Sequence, residues 1–284
     1  MEGRLARVDV GTAELACLVD GPDDGPLALL VHGFPDGPSS FRHQVAPLTA
    51  RGFRVVRPAT RGYAPSSLAR DGRYDVERLA RDLLSLGDHF SPSRPFALVG
   101  HDWGAVAAYA AAALAPERLR RLCTLAVPHL RVAGPRWRSR WQLWRSRYMA
   151  LFQLRGLAER IVAARDFAFI DGLWRAWSPG YSATREELAA IKDGFRAREH
   201  LSAVLGYYRA IPSLAGARLL NRRTRVPSLY LHGVDDGCVG VALADGVERA
   251  YAGEIEVTRV TGAGHFLQLE RPGEISACLA DFLV

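Results

Sequence analysis

Leu98-Val99-Gly100-His101-Asp102-Trp103-Gly104-Ala105 joins an apolar run, Phe96 to Val99, to an alanine-rich run that extends to Leu114. The first run has the length and character of a buried strand and the second of a helix. Between them a polar residue is flanked by glycines two positions before and two after. Such a strand-to-helix turn is too tight for side chains at the flanking positions, and it lifts the central residue above the sheet edge. Here that residue is Asp102 rather than the more familiar serine. A carboxylate in this position can attack a saturated carbon and form an ester that water later cleaves.

Working outward, apolar runs bounded by turn signals recur at Leu27–Val31, Phe53–Val56, Leu122–Val127, Ser228–Leu231 and Ile255–Val260. A hairpin is expected first, from Arg7–Val10 and Leu15–Val19 around Gly11-Thr12. Helical patterns at Phe41–Ala50, Val76–His89 and Ala105–Ala115 fall between the runs. The alternation predicts an α/β protein with a mostly parallel central sheet flanked by helices. The rhythm breaks between about His129 and Asn221, a stretch rich in tryptophan and arginine without a clear strand. It reads as an inserted helical cap, residues 129–222, on a core of residues 1–128 and 223–284.

The 284 residues are 49% hydrophobic, enough for one large core with an inserted lobe. No apolar stretch is long enough for a membrane span. The N-terminus has no apolar signal core, and the four cysteines (Cys17, Cys123, Cys238, Cys278) form no close pair. Both features predict a cytoplasmic protein with free thiols. The net charge of +7 comes almost wholly from arginine, since Lys192 is the only lysine. No nucleic-acid recognition motif accompanies it. The stretch from Arg131 to Arg160 has Glu159 as its only acid. A solvated helix face explains it most simply, with attraction to anionic substrates or a membrane surface as the sharper alternative.

A carboxylate nucleophile needs a base, an orienting acid and donors for developing negative charge. His265 lies in Gly262-Ala263-Gly264-His265-Phe266, after the last strand. Asp236 follows the strand Ser228–Leu231 in His232-Gly233-Val234-Asp235-Asp236, with Asp235 as its competitor. Nucleophile, acid and histidine in that chain order suit an elbow-based hydrolase, whose loops meet at the carboxyl ends of the strands. The expected oxyanion donors are the backbone N–H groups of Trp103 and of Phe34, the latter in His32-Gly33-Phe34-Pro35.

Taken together, His32-Gly33-Phe34-Pro35, Arg61-Gly62-Tyr63, Gly100-His101-Asp102-Trp103-Gly104 and Gly264-His265-Phe266 resemble the motifs of α/β-hydrolases of the epoxide hydrolase and haloalkane dehalogenase branch. The resemblance runs from about Leu27 to the C-terminus. Ala59, Ala64 and Ala126 depart from the aspartate, glycine and asparagine usual in that group. Tyr148, in Tyr148-Met149-Ala150-Leu151-Phe152-Gln153, and Tyr208, in Gly206-Tyr207-Tyr208-Arg209, resemble the segments that carry the two epoxide-activating tyrosines. A phenol suits that task because it is neutral at pH 7 and can still donate. Trp137, Trp141, Trp144 and Tyr148 recur at helical spacing, as do Leu201, Val204, Leu205 and Tyr208, so each set is expected on one helix face. Tyr207 could replace Tyr208 on a rotated helix.

The resemblance implies an epoxide hydrolase with Asp102, His265, Asp236, Tyr148 and Tyr208 catalytic. Phe34 and Trp103 would form the oxyanion hole, and His32, Pro35, His101, Trp144, Phe152 and Phe266 the pocket wall. The expected partner is a small epoxide, with no metal or organic cofactor, no nucleic acid and no membrane span, in a monomer or homodimer. The alternatives are a haloalkane or haloacid dehalogenase on the same core, or a non-catalytic ligand-binding relative.

Overall fold

The computed structural model describes residues 3–211 and 213–284. Eight strands form one sheet: β1 (Arg4–Asp9), β2 (Glu14–Asp20), β3 (Leu27–Val31), β4 (Arg54–Pro58), β5 (Phe96–His101), β6 (Leu119–Leu125), β7 (Ser228–Gly233) and β8 (Ile255–Val260). Their order is β1-β2-β4-β3-β5-β6-β7-β8. The β1–β2 and β2–β4 pairs are antiparallel and every other pair is parallel. Every residue of β3, β5 and β7 is buried, as expected of strands covered on both faces. The α/β-hydrolase architecture is thus present.

Around the sheet lie α1 (Arg42–Ala50), α2 (Val76–Phe90) and α3 (Trp103–Leu114), with α11 (Leu267–Glu270) and α12 (Pro272–Phe282) closing the chain. Asp75 caps α2 by accepting from the Arg78 N–H. In α3 every residue from Gly104 to Ala112 is buried, and the run of alanines lets this helix pack close to the strands. Between β6 and β7 come α4 (Leu130–Arg136), α5 (Arg140–Arg145), α6 (Arg147–Phe152), α7 (Leu157–Trp177), α8 (Arg185–Asp193), α9 (Arg198–Arg209) and α10 (Leu214–Leu220). The tryptophan stripe does not survive as one face. Ser139 caps α5 and another break falls at Ser146, so the segment is three short helices. Trp137 packs inward, Trp141 and Trp144 face outward, and Tyr148 is buried. The set Leu201, Val204, Leu205 and Tyr208 does share a buried face, on α9.

Arg61 is fully buried, and its Nε and Nη2 donate to Asp82 at 2.6 Å each, joining the loop after β4 to α2. A bidentate buried pair of this kind resists loss of one partner, because the other charge is then stranded out of water. Asp82→Ala is expected to lower stability by about 3–5 kcal/mol, measurable by urea melts. A loss below about 1 kcal/mol would show that the pair does not matter.

Candidate active site

The elbow forms because its glycines permit it. A Cβ on Gly100 would lie 2.4 Å from the Gly104 carbonyl oxygen, and one on Gly104 would lie 2.1 Å from that of Val31. Asp102 itself sits at φ 51° and ψ −116°, a sparsely populated backbone conformation that costs an L-residue about 1–3 kcal/mol. The strain presents its carboxylate at the end of β5, ahead of the first N–H groups of α3. Ala126 also has positive φ (67°), where the asparagine usual in the resembling group is better tolerated than alanine.

Three strand-end loops converge on this carboxylate. The Phe34 N–H, after β3, donates to Asp102 Oδ1 at 2.8 Å. His265, after β8, places Nε2 3.5 Å from Asp102 Oδ2, and its Nδ1 donates to Asp236 Oδ2 at 2.9 Å. The Cys238 and Val239 N–H groups hold the other oxygen, Asp236 Oδ1, at 2.7 and 2.8 Å. Asp235 is exposed and contributes only its backbone N–H to the loop. The Trp103 N–H, the second expected oxyanion donor, is the first of α3, next to Asp102.

Charge in this site follows from burial and pairing. Burial alone would raise the Asp102 carboxyl, but the hydrogen bond and charge of His265, His101 and the Phe34 N–H hold it below the usual carboxylate range. Burial likewise opposes charge on His265, yet Asp236 and Asp102 together push its pKa up to about 10. The resting His265 is therefore held as an imidazolium beside the ionised Asp102. Burial raises the Tyr148 and Tyr208 hydroxyls well above the ordinary phenol value, with the Asp102 charge adding to it, so both remain protonated donors.

Above Asp102 lies a cavity of about 570 Å³ with mainly apolar walls. Asp102, Trp103, Tyr148 and Tyr208 all line it, with Val106, Val127, Leu130, Trp137 and Met149 among the apolar residues. The Tyr208 hydroxyl is buried without a hydrogen-bond partner, whereas that of Tyr148 lies 3.7 Å from Cys238 Sγ. Tyr207 cannot take the place of Tyr208. Although its ring reaches the cavity wall, its hydroxyl donates to the Arg61 carbonyl at 2.6 Å and also contacts Thr60 Oγ1 at 3.2 Å. That bond pins α9 to the buried Arg61 loop and turns the neighbouring Tyr208 inward.

The six expected pocket residues are not the ones that line this cavity. Trp144 is 63% exposed, because the break after α4 turns α5 outward. His32 is a loop brace: its Nδ1 meets the Gly33 carbonyl at 2.8 Å and its Nε2 accepts from the Thr60 N–H. The Pro35 carbonyl accepts from Trp174 Nε1, and Phe266 stacks on the Trp174 ring at 3.8 Å. Phe152 stands behind the tyrosines, edge-on to Tyr148 and Tyr208. His101 donates through Nε2 to the His265 carbonyl at 2.9 Å, bracing the base loop.

Asp36 is the residue that sequence reasoning passes over. It is buried, with Oδ2 3.7 Å from His101 Nδ1, and burial pushes its carboxyl up to about 7. Its only signal is an acid directly following His32-Gly33-Phe34-Pro35.

Residues 26–272 match the family described as alpha/beta hydrolase fold. Epoxide hydrolase A of Mycobacterium tuberculosis is 32% identical over 315 residues, covering 97% of this chain and 96% of that protein. Epoxide hydrolase 4 of Mus musculus is 29% identical over 91% of this chain and 73% of its own length. The crystal structure of Epoxide Hydrolase A from Mycobacterium thermoresistibile superposes with a TM-score of 0.80 at 28% identity, covering 99% of this chain and 98% of that one.

Proposed function

The chain belongs to the alpha/beta hydrolase fold family, in its epoxide hydrolase branch, and on that footing we propose that it opens epoxides to vicinal diols through a covalent ester on Asp102. The observation that supports this most is the pairing, on the wall of one apolar cavity, of an ionised carboxylate with two un-ionised phenols. A strained three-membered ring needs a nucleophile at carbon and a donor at oxygen together, and that pair supplies both. In this reading residues 129–222 act as a lid on a core of residues 1–128 and 223–284.

Asp102 Oδ2 attacks one ring carbon while Tyr148 and Tyr208 donate to the oxygen. The C–O bond breaks, and the alkoxide takes a phenol proton, which solvent water then restores to the tyrosine, to give a hydroxyalkyl ester. Esterification removes the charge of Asp102, so His265 loses one of the two carboxylates that favour its protonated form. Its proton passes to solvent, offsetting the one the alkoxide took up, and neutral His265, oriented by Asp236, can then take a proton from water. That water attacks the ester carbonyl, whose oxyanion is met by the Phe34 and Trp103 N–H groups. Collapse breaks the bond from the ester carbonyl carbon to the alkyl oxygen, and the departing alkoxide takes the proton of the new carboxyl group, which releases the diol and restores the carboxylate.

Diol formation from aryl, alkyl and fatty-acid epoxides, with halide release followed in parallel, tests the reading. Diol from the wild type is expected. Halide without diol would replace it with dehalogenation, and silence in both with a binding role. Tyr208→Phe and Tyr148→Phe should each slow ester formation by roughly 10²–10³-fold, and Tyr207→Phe should not. Stopped-flow tryptophan fluorescence in single turnovers would show this, and a Tyr207→Phe enzyme as slow as Tyr208→Phe would count against the assignment.

A further inference from the structure

The helix α5 is inside out. Of its six residues only Gln142 is buried, and that one is polar. Its Nε2 donates to the Cys238 carbonyl at 2.8 Å and to Ser146 Oγ at 3.0 Å, and its Oε1 accepts from the Gly240 N–H at 3.0 Å. With the helix anchored by hydrogen bonds, its large apolar side chains face outward. Trp141 is 80% exposed, Trp144 63% and Leu143 55%. Neither fold nor cavity uses these three side chains, and apolar side chains clustered in the open mark a contact surface.

Along this segment the exposed charge is of one sign. Arg138, Arg140 and Arg147 are exposed on the same short segment, with the Arg147 guanidinium 4.2 Å above the Trp144 ring. The single acid between Arg131 and Arg160, Glu159, is buried and paired with Arg209 at 3.0 Å. Indole rings settle at the level of lipid headgroups, and arginines pair with phosphates there. We propose that α5 docks this protein on an anionic lipid bilayer, as a peripheral contact and not a span. No described helix is long and apolar enough to cross a membrane. Gly134 and Trp137 just before α5, and Tyr148 and Met149 just after it, line the cavity. Docking through α5 therefore brings the cavity wall to within one helix of the lipid, a short path for apolar molecules dissolved there. The docking itself does not rest on the epoxide reading.

Co-sedimentation of the full chain with vesicles of equal parts phosphatidylcholine and phosphatidylglycerol tests this, against pure phosphatidylcholine. Binding to the anionic vesicles, weakened by salt, is expected. The triple variant Arg138→Gln/Arg140→Gln/Arg147→Gln should partition on the order of a hundredfold less, at about fivefold per arginine. Trp141→Ser/Trp144→Ser should lose binding as well. Should either variant melt early, quenching of wild-type tryptophan fluorescence by brominated lipid supplies the same answer. No binding of the wild type at low salt, or equal binding by variants that melt normally, would overturn the proposal. So would a dimer in sedimentation velocity that Trp141→Ser/Trp144→Ser dissociates, which would assign the face to a second copy. Epoxide turnover in solution, followed separately, distinguishes failure of docking from failure of the catalytic reading.

Discussion

Mixed with an epoxide that the wild type consumes, His265→Gln should gain the whole mass of that epoxide and keep it. Ring opening expels no leaving group, so the adduct equals protein plus substrate. A haloalkane would instead add only its alkyl part. The expectation follows from the division of labour around Asp102. Pairing with His265 and the Phe34 N–H keeps its carboxylate ionised against burial, and the Phe34 bond at 2.8 Å remains in the variant. Attack should slow yet proceed, while ester hydrolysis loses its general base, a contribution of about 10²–10⁴-fold. Intact-protein mass spectrometry reads the outcome. Diol release at the wild-type rate, with no adduct, would remove His265 from the second step.

The same division sets the pH dependence. Ester formation needs ionised Asp102, held low, and neutral tyrosines, held high, so its rate should be flat across neutral and mildly alkaline pH. Hydrolysis needs His265 neutral and should slow as pH falls. In the resting enzyme its pKa is about 10, and in the ester, without the Asp102 charge, it must be lower. Adduct should therefore accumulate in the wild type toward acid pH. An adduct that built up toward alkaline pH would reverse the roles.

Asp102→Ala should abolish turnover, by at least about 10⁴-fold, with no adduct at any pH. Among the described residues of the cavity wall the other potential nucleophile is Cys238, and burial raises its thiol well above the ordinary value and keeps it un-ionised. The variant should still fold, because His265 keeps its bond to Asp236, and the orphaned Phe34 N–H should cost about 1–3 kcal/mol. Residual diol formation by the folded variant would show that water attacks the epoxide directly and that Asp102 is not the nucleophile.

Local chemistry explains which parts of the site can be read from the chain. The elbow is legible because Gly100 must clear the Gly104 carbonyl four residues on, and Gly104, which must clear the distant Val31 carbonyl, completes the same short glycine pattern. His265 and Asp236 are legible because turn residues follow apolar runs at strand ends. The pocket wall is not. Whether Trp137, Trp141 or Trp144 faces the cavity depends on breaks at Ser139 and Ser146, and helical spacing counted across those breaks points them all the same way.

By itself the sequence determined the sheet and the strand-end positions of the proposed nucleophile, acid and base, since each rests on short-range patterns of apolar runs and glycines. Only the tertiary structure decided between Asp236 and Asp235, and between Tyr208 and Tyr207. The first choice depends on which carboxylate meets a histidine 29 positions further along. The second depends on a bond from the Tyr207 hydroxyl to a carbonyl 146 residues earlier in the chain. Neighbouring residues of the same type are equivalent to local propensity, and a distant partner tells them apart: His265 draws Asp236 into the site, and the Arg61 carbonyl holds the Tyr207 hydroxyl out of it.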